Sequence, residues 1–166
     1  SLPDYGILCR NCEERQVMSK IVLFNRVATV CFAVISVLSA IFFTSAWRVA
    51  IVAVCVSLFA TGVATFLLGY FAAVQRSREE EISVTQLFFL AGEVAPKNVR
   101  LAMWYCFAAQ CAVGLGVALA RPSTDGKAGS VMAFAVMVPM LGIGLNGLWA
   151  GKFGTFEPRQ LKSAPE

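Results

Sequence analysis

Cys9 and Cys12 are the residues whose type and spacing come closest to a chemical site in this chain. Two thiols separated by two residues can chelate a soft metal or cycle between dithiol and disulfide, and Arg10 between them would stabilise a thiolate. The rest of such a site is missing. A closed zinc site needs four ligands, and the chain has no histidine. Its other cysteines, Cys31, Cys55, Cys106 and Cys111, fall in long apolar runs, where they read as small packing residues. Neither a metal nor any other cofactor is expected. Without histidine, imidazole ligation of haem and histidine-based acid–base catalysis are also excluded. Gly142, Gly144 and Gly147 spell the dinucleotide-binding pattern, but that motif works only at a strand-to-helix turn. Here it follows Pro139 inside an apolar run, so the glycines read as softening a helix beside a proline kink. No nucleophile elbow or phosphate-binding loop appears, and an enzyme is not expected.

What would have to position any of these residues is apolar helix. Four uncharged stretches, 27–47, 49–75, 101–120 and 128–151, occupy more than half of the 166 residues. A bilayer core of about 30 Å takes about 20 apolar residues as a helix, and backbone groups in lipid must bond within the segment. A hydrophobic content of 58% with only 14% charged residues agrees, as does a mean hydropathy of +0.70. The expected fold is all-α and polytopic, with four transmembrane helices arranged as two hairpins. A segment 1–20 precedes a membrane domain 21–152, a loop 76–100 divides the hairpins, and a tail 153–166 follows. The four stretches contain no Asp, Glu, Lys, Arg or His. Proton relays, voltage sensors and ion-coupled carriers depend on such groups, so a monomeric proton-coupled carrier is disfavoured.

The net charge of +4 matters less than its placement. Eleven of the fourteen cations fall before the first stretch, between the second and third, or after the fourth. The positive-inside rule then puts both ends and the 76–100 loop in the cytoplasm. Nucleic acid is not an expected partner, because no groove-sized basic helix with aromatic interleaving accompanies the charge. No cleavable signal peptide is expected either, since Asp4, Arg10, Glu13, Glu14, Arg15 and Lys20 interrupt the first twenty residues.

Small residues mark where helices should meet. Ala53, Ser57, Thr61, Thr65, Gly69 and Ala73 recur every four residues in the second stretch, Ala108, Ala112, Gly116 and Ala120 in the third, and Gly147 with Gly151 closes the fourth. Such stripes let backbones approach closely, which matters because lipid supplies no hydrophobic drive between helices. Gln110 and Asn146 are the polar residues deepest in the apolar sequence and read as interhelical hydrogen-bonding groups. The segment 82–91 is apolar but too short to span. With Arg76, Arg78, Leu87, Phe88 and Phe89 it reads either as an interfacial helix or as a docking element for a partner. The hairpins also echo each other: Arg26, Cys31-Phe32-Ala33, Arg48 and Gly69 against Arg100, Cys106-Phe107-Ala108, Arg121 and Gly147, at offsets of 73 to 78 residues. A parallel internal repeat and simple likeness of composition both account for this.

The run Arg76-Ser77-Arg78-Glu79-Glu80-Glu81-Ile82 with Phe88-Phe89-Leu90-Ala91-Gly92 carries a resemblance, together with Val138-Pro139-Met140-Leu141-Gly142-Ile143-Gly144-Leu145 and Gly147-Leu148-Trp149. These segments resemble uncharacterised four-helix integral membrane proteins of high-GC bacteria such as actinobacteria. The resemblance implies a bacterial plasma membrane and transfers no catalytic motif. The function expected is that of a non-catalytic accessory, scaffolding or assembly subunit, with lipids and other membrane subunits as partners. The alternative is a small oligomeric transporter or channel whose pathway runs along Ser57, Thr61 and Thr65, and the third reading is a cytoplasmic-side thiol or metal site at Cys9 and Cys12.

Overall fold

The apolar stretches form four helical spans in the computed structural model, which describes residues 5–124 and 127–159, with side chains for 16–123 and 129–159. Helix α1, Tyr5–Phe42, runs unbroken through the charged segment into the apolar one. Neither Gly nor Pro occurs between Gly6 and Phe42 to stop it. At 1.5 Å per residue it reaches roughly 57 Å, well beyond a bilayer core.

The first hairpin turns earlier than its apolar run suggests. The α1 helix stops at Phe42, and α2, Ser45–Arg76, already contains Trp47 and Arg48. The connection is Phe43-Thr44, with Phe43 at φ +29°. No Gly, Pro, Asn or Asp marks this turn, so hydropathy runs straight across it. The guanidinium groups of Arg48 and Arg121 each lie 5.1 Å from the centre of the Phe43 ring, and Arg121 Nε donates to the Ala40 carbonyl. Both outer turns are thereby tied to one aromatic ring.

The second hairpin departs further from expectation. Helix α4, Lys97–Ala120, starts directly after Pro96, and a small β2–β3 ladder follows, Ser123–Thr124 against Lys127–Ala128. The last stretch is not one helix from residue 128. A 3-10 helix, Val131–Met137, leads into α5, Pro139–Phe153. Pro139 therefore opens a helix rather than kinking one, at a position where its missing N–H costs nothing. Because a 3-10 helix rises about 2 Å per residue, the two pieces together reach roughly 36 Å, enough to cross.

Helix α2 packs along α5 and α1 along α4, with the 3-10 helix wedged between α2 and α4. The α2–α5 seam is glycine against glycine. A Cβ on Gly62 would come within 2.6 Å of the backbone of Met140 and Leu141, one on Gly69 would enter the backbone of Gly147, and one on Gly151 would stand 2.8 Å from the Gly69 carbonyl. The small-residue stripe expected on this helix is corrected in part. Steps of four residues advance about 40° each around an α-helix, so the five steps between these six residues turn through about 200° and cannot keep them on one face. The buried positions are Ile51, Cys55, Gly62, Gly69 and Ala73, at spacings of four and seven. Ser57 is exposed and Thr61 only half-buried.

Candidate functional site

Three constructions bring functional side chains together: a polar knot inside the bundle, a plug at the face carrying the 76–100 connection (the loop face), and the outer surface of α4.

The knot is centred on Gln110, which is fully buried. Its Nε2 donates to Asn25 Oδ1 at 3.1 Å and to Thr29 Oγ1 at 2.8 Å, both on α1. Its Oε1 accepts from the Gly142 backbone N–H at 3.2 Å. That N–H belongs to the first turn of α5, and the Val138 carbonyl it would meet in a regular helix accepts instead from the Leu141 N–H at 2.8 Å. The break ahead of Pro139 thus creates a donor inside the membrane, and Gln110 satisfies it. A side chain at position 142 would approach Gln110 Oε1 to 2.9 Å, so glycine there keeps the path open. Asn25 also donates to Met103 Sδ at 3.4 Å, and Thr29 to the Asn25 carbonyl at 2.7 Å. None of these four groups ionises near neutral pH, so the knot joins α1, α4 and α5 without a proton to move. Asn25 and Thr29 were not singled out in the sequence, although they stand four residues apart on one helix face at the start of an uncharged run.

The plug is α3, Val84–Phe89, and it corrects the docking assignment. A capping box starts it: Ser83 Oγ accepts from the Gln86 N–H at 3.2 Å, and Gln86 Oε1 from the Ser83 N–H at 3.0 Å. Leu90, at φ +52°, ends it. Leu87 and Phe88 are buried inside the chain rather than offered to a partner. The Phe88 ring stacks on Phe66 at 4.2 Å and occupies the space a Cβ on Gly147 would need, 2.5 Å away. Asn146 Nδ2 donates to the Phe88 carbonyl at 3.1 Å, supplying a donor to one of the last carbonyls of a six-residue helix.

Arg76 is likewise committed within the chain. Its guanidinium bonds the carbonyls of Gly151 at 3.2 Å and Gly154 at 2.9 Å, pairs with Glu80 at 2.8 Å, and lies 5.1 Å from the centre of the Phe156 ring. A cation at the carbonyl end of α5 is electrostatically favoured. Around it, β1, Glu80–Glu81, pairs with β4, Glu157–Pro158, and Thr155 N–H donates to the Val94 carbonyl at 3.2 Å. The tail through Arg159 is thus held against the central loop. Of the residues assigned to docking, Arg78 and Phe89 stay exposed, and the Phe89 carbonyl accepts from Trp104 Nε1 at 3.0 Å.

The outer surface of α4 carries the stripe that was expected to pack. Ala108, Ala112 and Gly116 are exposed, and a Cβ on Gly116 would meet nothing within 4 Å. The inward positions are Ala102, Met103, Cys106, Gln110, Gly114 and Val117. Two residues correspond to about 200° of rotation on a helix, so the stripe through 108, 112 and 116 and the line through 106, 110 and 114 point in opposite directions. Gln110 decides which turns inward, and Gly114, whose Cβ would stand 2.6 Å from the Ala135 carbonyl, lets the 3-10 helix approach there. Of the remaining packing residues, Thr65 stands against Gly144 in the α2–α5 seam, while Gly147 and Gly151 lie buried there.

Cys9 and Cys12 fall in the first turns of α1, and their side chains lie outside the described residues. Among the described residues no group of three His, Cys, Asp or Glu side chains could hold a metal ion. Compared with protein families, curated proteins and solved structures, the chain matches none of them.

Proposed function

We propose that this multipass membrane protein is a non-catalytic accessory subunit that joins a partner helix laterally, through the outer face of α4, in a bacterial plasma membrane with its loop face toward the cytoplasm. The observation that carries this reading is the outward run Leu101, Tyr105, Ala108, Ala112, Leu115 and Leu119, every one exposed in the folded chain. Its spacing alternates four and three residues, the interval at which one helix presents a continuous seam to another. Its centre is alanine, flat enough for a neighbouring backbone to approach. Lipid alone would be equally served by large aliphatic residues, as on the outer face of α1, where Val27, Val30, Val34, Val37 and Ile41 are exposed. Phe89 and Trp104, 6.1 Å apart, sit at the loop-face end of the seam, where aromatic residues anchor a helix at the lipid headgroups.

The transporter alternative has less support. Thr61 Oγ1 donates to the Ser57 carbonyl at 2.8 Å, and Thr65 Oγ1 to the Thr61 carbonyl at 2.9 Å. Both hydroxyl protons are committed to their own helix, which leaves a permeant solute no donor from these two side chains.

The test compares Ala108→Leu with Ala112→Leu against Val34→Leu, in native membranes solubilised in mild detergent. The α4 double variant should lose a specific co-purifying membrane subunit that Val34→Leu retains, while the thermal unfolding of the isolated chain stays near wild type. Retention of the same subunits by both variants would overturn the reading.

A further inference from the structure

We propose that the groove between α2 and α3 holds one acyl chain of a zwitterionic phospholipid from the loop-side leaflet. The groove has a volume of about 410 Å³. Its floor is Ala73, Leu87 and Phe88, all buried, and its rim is Leu67, Tyr70, Val74 and Val84, all exposed. It therefore opens sideways, along the last turns of a helix that carries no charge between Arg48 and Arg76. What meets such an opening in a membrane is a lipid chain or another apolar surface. The α2 wall runs from Phe66 to Ser77, roughly 16 Å at 1.5 Å per residue, so the volume corresponds to a section of roughly 25 Å². An α-helix with its side chains is about 10–12 Å across, several times too thick to enter. An extended hydrocarbon chain fits.

Polarity runs in one direction along the groove, as it does along a lipid. Phe66 and Leu67 lie deepest in the span, Tyr70 follows, and Ser77 and Ser83 close the loop-face end. Tyr70 stands six residues, roughly 9 Å along the axis, short of Arg76. Its hydroxyl makes no hydrogen bond among the described residues. An acyl ester just below the headgroups offers the carbonyl acceptor that such a donor lacks, and tyrosine is enriched at this level of a membrane. Arg78, Glu79 and Glu81 flank the loop-face end in sequence, all exposed, and Arg78 makes no ion pair among the described residues. Charges of both signs complement a headgroup that carries a phosphate and an ammonium better than one that carries a phosphate alone.

The experiment uses the full chain in detergent with a phosphatidylethanolamine that carries a photoactivatable group on one acyl chain, and maps the adducts by peptide after irradiation. Adducts should saturate with lipid concentration and concentrate on 66–88, severalfold over 27–41 of α1, whose outer side chains are also exposed. Unlabelled phosphatidylethanolamine should displace the label at a lower concentration than phosphatidylglycerol or lauric acid. Val74→Trp and Leu67→Trp each put a ring into the opening from an exposed position, so each should remove the saturable labelling. Tyr70→Phe removes one neutral hydrogen bond of about 1 kcal/mol and should raise the labelling midpoint about fivefold. It leaves the shape of the groove in place, which keeps the test decisive if the tryptophan variants fail to fold. Adducts spread evenly over 66–88 and 27–41, saturable labelling that persists in both tryptophan variants, or an unchanged midpoint in Tyr70→Phe would overturn the proposal. So would earlier displacement by lauric acid or phosphatidylglycerol, or loss of labelling at 66–88 as protein concentration rises, which would make a free fatty acid, an anionic lipid or a second copy of the chain the occupant.

Discussion

Gln110 joins three helices with an uncharged amide, and its value depends on every partner being present. Replacing it with leucine keeps the volume but strands the Gly142 N–H and removes a donor from Asn25 Oδ1 and Thr29 Oγ1. An unsatisfied buried group costs about 1–3 kcal/mol, although interhelical bonds in membranes average nearer 1 kcal/mol. Gln110→Leu should therefore lower stability by about 1–2 kcal/mol in detergent unfolding, and Thr29→Val by less, since it removes the bond from Gln110 and the hydroxyl's bond to the Asn25 carbonyl but leaves Gln110 its bonds to Asn25 and Gly142. Equal unfolding of Gln110→Leu and wild type would show that the knot is dispensable. At this scale the sequence was half legible. A lone glutamine in an apolar run announces that it needs a partner. Which partner was hidden, because the Gly142 N–H becomes an open donor only once the helix breaks before Pro139, and two glycines within six residues of that proline read equally well as a softened continuous helix.

At the scale of elements, what reads clearly is apolar length and what reads poorly is rotation. The four spans follow from hydropathy alone, but a four-residue stripe does not say which way its helix turns. The α4 helix offers two such faces about 200° apart, and long-range partners on α1 and α5 choose between them. The α3 plug was illegible for a similar reason. Segment 82–91 is too short to span, and only Gly147 and Asn146, some sixty residues later, create the slot that buries it. These assignments separate by mutation. Gly69→Leu and Gly62→Leu force bulk into the α2–α5 seam, where overpacking costs about 1–3 kcal/mol or more, whereas Gly116→Leu should leave the unfolding of the isolated chain within about 0.5 kcal/mol of wild type. Should Gly116→Leu prove as harmful as Gly69→Leu, the rotation of α4 described above is wrong. Loss of the capping box through Ser83→Ala should cost about 1 kcal/mol, appearing as faster amide exchange confined to 84–89; exchange at the wild-type rate would mean the plug is held by Phe88 packing alone.

For the molecule as a whole, four spans put the 76–100 connection and the end of α5 on one side and the 121–130 connection on the other. The proposed orientation, drawn from charge asymmetry, puts the first of these in the cytoplasm. Single cysteines at Ser83 and Arg159, introduced after replacing the native ones, should react with an impermeant thiol reagent only in opened cells, and one at Ser123 in intact cells; labelling of Ser83→Cys in intact cells would invert the orientation. Within that frame the chain spends the glycines of the α2–α5 seam, its buried amides and its Arg76 clamp on itself, and leaves the small-residue face of α4 uncovered among the described residues. The measurement that bears most directly on this division places a photo-crosslinking residue at Ala112 and, as a control, at Leu68 on the lipid-facing side of α2, in native membranes. The account requires a discrete protein adduct from position 112 that is absent from position 68. Lipid adducts alone at both positions would contradict it.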